Sequence, residues 1–131
     1  MSADDSLIAS AVHGSTLSAV VLSSQLKDSK CVDQLKKELM AALAVGSCTN
    51  VILDLSNVQF IGSIAFLAFL SIRRLAGIQR VILTGLTDQV REVFSICRLI
   101  PTVNSPTAPF EECESVADAL HMCGEGGSIW K

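Results

Sequence analysis

The stretch Val51-Ile-Leu-Asp-Leu-Ser-Asn-Val-Gln-Phe-Ile-Gly-Ser-Ile-Ala-Phe-Leu-Ala-Phe-Leu-Ser-Ile-Arg-Arg-Leu75 decides the fold. Val51 to Leu55 is apolar and partly β-branched, as a buried strand is, and helix formers take over from Ser63 to Ala76 before Gly77 ends the run. The Gly62-Ser63 break between them therefore sets a serine hydroxyl at a helix start. There, unpaired N–H groups and the positive end of the helix dipole favour oxygen ligands or a phosphate. The plain reading of Ser63 is an N-cap, its oxygen accepting an N2 or N3 amide hydrogen.

Outward from this junction, Leu7 to His13 and Leu17 to Leu22 are expected as two short strands around a Gly14-Ser15 turn, and Ser23 to Lys30 as loop. Val32, Leu35, Leu39 and Leu43 recur at helical spacing while Asp33, Lys36, Lys37 and Glu38 cover the other side. Cys31 to Val45 thus reads as an amphipathic helix stopped by Gly46. Arg80 to Thr84 is expected as a strand and Asp88 to Ile96 as a helix with Val90, Val93, Phe94 and Cys97 on one side. After Pro101, Thr102-Val103 is expected as a last short strand. Glu111 to Met122 follows as a closing helix, with Glu111, Glu112 and Glu114 complementing its dipole. The tail from Cys123 to Lys131 is expected to be flexible or docked through Trp130.

Strands alternating with helices predict an α/β fold. We expect one domain over residues 1–131, its core about 7–122, with a mixed, mostly parallel sheet of four to five strands and about four helices. The chain has 131 residues, half of them apolar and 18% charged, which is enough to bury one core. A net charge of −3, with Lys36-Lys37 and Arg73-Arg74 as isolated pairs, argues against direct nucleic-acid binding. The acidic start Met1-Ser-Ala-Asp-Asp5 lacks a signal-peptide pattern, and the apolar run from Val58 to Ile72 is too short and interrupted to span a bilayer, so a cytoplasmic protein is expected. Cys31, Cys48, Cys97, Cys113 and Cys123 form no C-x-x-C pair and fit reduced thiols.

Three segments carry a family resemblance. Val51-Ile-Leu-Asp-Leu-Ser-Asn-Val-Gln-Phe-Ile61 resembles the third strand of a STAS domain, the family of bacterial anti-sigma factor antagonists. Leu17 to Leu26 with Val32 to Leu39 resembles the second strand and first helix, and Arg91 to Pro101 with Glu114 to Leu120 the third and last helices. The resemblance covers roughly residues 7 to 122. It implies a switch module that binds an anti-sigma factor, often a serine kinase, and is released by phosphorylation of a serine in an Asp-Ser-Ser-Gly-like loop at the second helix. This chain departs there: Gly62 replaces the aspartate, Ser63 holds the first hydroxyl, Ile64 takes the acceptor position and Ala65 that of the glycine. Ser63 is then the candidate for phosphorylation.

The following helix is apolar on two sides. Phe66, Phe69 and Leu70 suit packing on the sheet, and Ile64, Leu67, Ala68 and Leu75 form a second stripe. That second stripe is expected to meet a partner or a second copy of the chain, or to lie under the C-terminal tail. The candidate partner-binding residues are Phe60, Gly62, Ser63, Ile64, Leu67, Ala68 and Ser71.

Chemistry-bearing constellations are lacking. Gly124-Glu-Gly-Gly follows a helix instead of joining strand to helix, so it makes no phosphate loop. His13 and His121 have no metal-ligand spacing to a cysteine. Asp54 has no catalytic companion, and its expected role is to bond loop amides near the strand end. No enzyme activity, metal or cofactor is expected. By resemblance the chain is an anti-sigma factor antagonist; the alternatives are an accessory STAS subunit of a membrane transporter and a small-ligand or nucleotide sensor.

Overall fold

The computed structural model describes residues 6–103 and 107–124. The order is β1 (Ile8–His13), β2 (Thr16–Val21), β3 (Gln25–Leu26), α1 (Ser29–Gly46), β4 (Asn50–Asp54), β5 (Phe60–Ile61), α2 (Ser63–Arg73), β6 (Arg80–Thr84), α3 (Asp88–Ile96), β7 (Glu111–Cys113) and α4 (Val116–Met122). Five strands form one sheet in the order β1-β2-β4-β6-β7. The β1–β2 hairpin is antiparallel, turning at Gly14 in the left-handed region, and every other pair is parallel. The expected mixed, mostly parallel α/β sheet with four helices is the fold observed.

Period-two alternation sends Leu17, Ala19, Val21, Val51, Leu53, Val81 and Leu83 to one face, where α1, α2 and α3 cover them in the main core. Ile52 and Ile82 point to the other face and meet Ala119 of α4. Edge-on ring contacts of Phe94 with Phe66 and with Phe110, at 4.8 and 6.1 Å, join α2 and α3 to the segment before β7. The α1 helix begins at the Asp28 cap, whose carboxylate accepts from the Cys31 N–H at 2.8 Å. Gly46 is its last residue, and a larger one would crowd there, since a Cβ would lie 2.8 Å from Cys48 Sγ and 2.9 Å from Val12 Cγ2. The left-handed turn after it falls on Ser47.

The C-terminal third differs from expectation. Thr102-Val103 is not a strand, and Val103 is 99% exposed. The seventh strand is Glu111–Cys113, and α4 starts only at Val116, capped by Ser115. The acids therefore serve an edge strand. Glu111 accepts from Arg80 at 2.6 and 2.9 Å, and Glu112 from Arg91 at 2.7 Å. Of the expected tail, residues 125–131, with Trp130, lie outside the described residues. Among the described residues no helix is long and apolar enough to cross a membrane.

Candidate functional site

The junction after β4 is fixed almost entirely by backbone bonds. The Leu55 N–H donates to the Thr84 carbonyl at 2.9 Å, and Asp54 Oδ1 accepts from the Ser56 N–H at 2.9 Å, which is the loop-bonding role read from the sequence. The chain then crosses toward α1. Gln59 and Phe60 N–H groups both donate to the Ser24 carbonyl, and Phe60–Ile61 pairs in parallel with Gln25–Leu26. Such two-residue strands leave no periodic signal, and the sequence reading had placed Ser23 to Lys30 in loop. The Gly62 N–H donates to the Leu26 carbonyl at 2.8 Å, so the starts of α1 and α2 are tied side by side.

Gly62, not Ser63, is the N-cap of α2, and no side chain closes the cap. Ser63 is the first helical residue and is exposed. The plain N-cap reading of Ser63 therefore does not hold: a residue at N1 already has helical backbone angles, and the cap position falls on Gly62. A Cβ added at Gly62 would meet only ordinary contacts, 3.5 Å to the Leu26 carbonyl and 3.6 Å to Lys27 Cα. The family's aspartate would fit there, so packing does not force the glycine.

The two apolar sides of α2 find separate covers. Ala65, Phe66, Ala68, Phe69 and Ile72 are buried, and Ile64, Leu70 and Leu75 pack partly against the same core. The second cover is α1, which packs against α2. Ala68, at 6% exposure, belongs to the core and cannot be part of an open face. A helical wheel gives its angle but not the neighbouring helix that fills that side. Leu67 alone stands clear at 65%, with the Ser71 hydroxyl turned back to donate to its carbonyl at 3.0 Å. Phe60 is 50% exposed at the rim of a groove of about 270 Å³ shared with Gln59, Ile61, Gln89, Val90 and Val93. The α3 residues of this groove were legible only as one apolar helix side. Leu22 is a further exposed apolar residue after β2.

The site thus presents Phe60, Gly62, Ser63, the half-buried Ile64 and Leu67 on one end of the sheet, with Ser71 one turn below. Among the described residues no cluster of His, Cys, Asp or Glu could hold a metal ion. This arrangement offers contact area and one exposed hydroxyl at a helix start. The family model that matches residues 16–119 is the STAS domain. The chain belongs to the STAS domain family.

Solved STAS-like structures agree in fold. The anti-sigma factor antagonist SpoIIAA in its unphosphorylated form is 19% identical, with a TM-score of 0.62 over 89% of this chain and 97% of that one. An RsbS variant from Moorella thermoacetica is 15% identical at the same TM-score and coverage. An uncharacterized DUF3478-family protein with a SpoIIAA-like fold from Shewanella loihica is 18% identical, with a TM-score of 0.53 over 88% and 90% of the two chains. At these identities the likeness is one of fold. No curated protein matches the chain.

Proposed function

We propose that this STAS domain is a cytoplasmic, non-catalytic regulatory module that works by reversible protein–protein contact, as an anti-sigma factor antagonist does. The observation that carries the reading is the pair of exposed apolar side chains, Phe60 and Leu67, flanking an uncapped helix start beside the α3 groove. Phe60, Gly62, Ser63, Ile64 and Leu67 form the contact, with Ser71 at its edge. Ser63 is the modifiable position in place of Ile64. A phosphoryl group there gains the free amides of α2 but sets a dianion between Phe60 and Leu67, which ends an apolar contact.

A second reading, an accessory STAS subunit of a membrane transporter, draws support from Ile64 standing at the acceptor position, since it keeps the contact and drops the switch. Capture from native lysate with mass spectrometry separates the two: an ATPase-fold anti-sigma factor supports the first, a permease or transporter ATPase the second. Leu67→Glu should abolish capture with unchanged folding; capture at wild-type levels refutes the surface. Label retained in Ser63→Ala after incubation with the captured kinase and ATP refutes Ser63 as acceptor.

A further inference from the structure

We propose that Cys113, Met122 and Cys123 form a three-sulfur site for a soft monovalent cation, copper(I). Cys113 is the last residue of β7, and it packs against the cluster of Ile52, Ile82 and Ala119 on the α4 side of the sheet. The α4 helix runs back over that cluster from its Ser115 cap, and the fully buried Ala119 fixes which side of the helix meets the sheet. Met122 and Cys123 follow Ala119 by three and four residues, so they fall on that same side. Cys123 packs on the cluster with Cys113, and Met122 Sδ meets Cys113 Sγ at 2.7 Å. A charge on Cys123 is felt at Cys113, and Arg80 is close enough to act on both. Arg80 also donates to the Met122 carbonyl at 2.8 Å and to Glu111, which holds the end of α4 beside β7.

The donors select the ion. Two thiolates and a thioether are soft ligands of the kind that favour copper(I). A structural zinc takes four ligands from Cys, His and carboxylates, and among the described residues no three His, Cys, Asp or Glu come together. On binding, both S–H bonds break, the two protons pass to solvent, two copper–sulfur bonds form and Met122 Sδ donates a lone pair, with no change of oxidation state. The unbranched Met122 side chain can turn aside to admit a cation between the sulfurs. It is 41% exposed and both cysteines are half-buried, so the site opens to solvent. The other cysteines stand elsewhere. Cys31 faces Ser23 and Gln25 at the start of α1, Cys48 is buried beside Gly46, and Cys97 is exposed at the end of α3.

Anaerobic titration of the full chain with copper(I), in competition with a chromophoric copper(I) chelator, tests this. One copper(I) per chain should be held, with the near-ultraviolet band of copper–thiolate bonds. Cys113→Ser or Cys123→Ser should weaken it at least about a hundredfold, Met122→Leu about tenfold, and Cys97→Ser not at all. Because Met122→Leu keeps the volume of a partly exposed side chain, its fold should match by circular dichroism. X-ray absorption should then count three sulfur neighbours in the parent chain and two in that variant. Nitrogen or oxygen neighbours in place of sulfur overturn the proposal. So does loss of all copper(I) to the chelator, retention that survives Cys113→Ser and Cys123→Ser combined, or retention that falls with Cys97→Ser.

Discussion

The two ends of α2 differ in how they expose apolar surface. At its start, Phe60 shares a groove with Gln59 and Gln89, Leu67 stands exposed one turn on, and the backbone is pinned by bonds to Ser24 and Leu26. At its far end, Met40, Leu43, Leu75 and Ile78 line one open groove, with Arg73 donating to the Ile78 carbonyl and Arg74 exposed beside it. The first arrangement places single apolar side chains among polar neighbours; the second gathers apolar side chains into one groove.

The largest perturbation should remove what both ends share. Phe69 is fully buried in the middle of α2, 6.5 Å from the Phe110 ring, and Phe69→Ala should cost about 3–5 kcal/mol in urea unfolding. Leu67→Ala, two residues away but exposed, should stay within about 0.5 kcal/mol. Equal losses would mean that α2 does not divide as described.

Next in size is a pair of glycines, one at each end. Gly85 has φ of +68°, and a Cβ there would lie 2.8 Å from Ser56 Cβ and 2.9 Å from Asp54 Oδ1. Gly77 has φ of +90° but meets nothing within 4 Å. Gly85→Ala should cost about 2–4 kcal/mol, adding overlap to backbone strain, and Gly77→Ala only about 1–2 kcal/mol. A ratio near one, measured by chemical denaturation, would show that the strand-end loops can spread apart as readily as the open end.

The smallest effect belongs to the β7 edge, which bounds neither surface. Arg80 donates two hydrogen bonds to Glu111 and holds its carboxyl below the usual carboxylate range. Because the folded pKa lies under the unfolded one, the stabilisation is present above the ordinary carboxylate pKa and fades as pH falls through the lower folded value. The pair is about a third exposed, so about 1 kcal/mol or less is at stake. Glu111→Gln should narrow the stability difference between neutral and acidic pH by that amount. An unchanged pH profile would leave β7 held by its backbone and the Glu112–Arg91 pair.

Sequence reading succeeded where one side chain pattern reports on one neighbour. The helices α1 and α3 each have a periodic apolar side, and β4 and β6 are short apolar runs buried on both faces. It failed where the partner was remote in sequence: Glu111 and Glu112 fit a helix dipole locally, and only Arg80 and Arg91 make them strand residues. Thr102-Val103 had the composition of a strand but lies outside the strands of the sheet. At the site, Phe60 and Leu67 were legible as apolar residues on a polar-bounded element. Ala68 lies in the core because a wheel gives a residue's angle and not the elements packed on that side, and the cap was one residue off because Gly62 needs no side chain to start a helix.

The β3–β5 pairing has a mechanical consequence. It fastens the start of α1 beside the start of α2, and α1 then runs 18 residues, about 27 Å, to its last turn. The helix is held along that length as well, by Val32, Leu35, Leu39 and Leu43 in the core and by its packing on α2, β1 and β2. A shift at one helix start therefore moves both helices as one body.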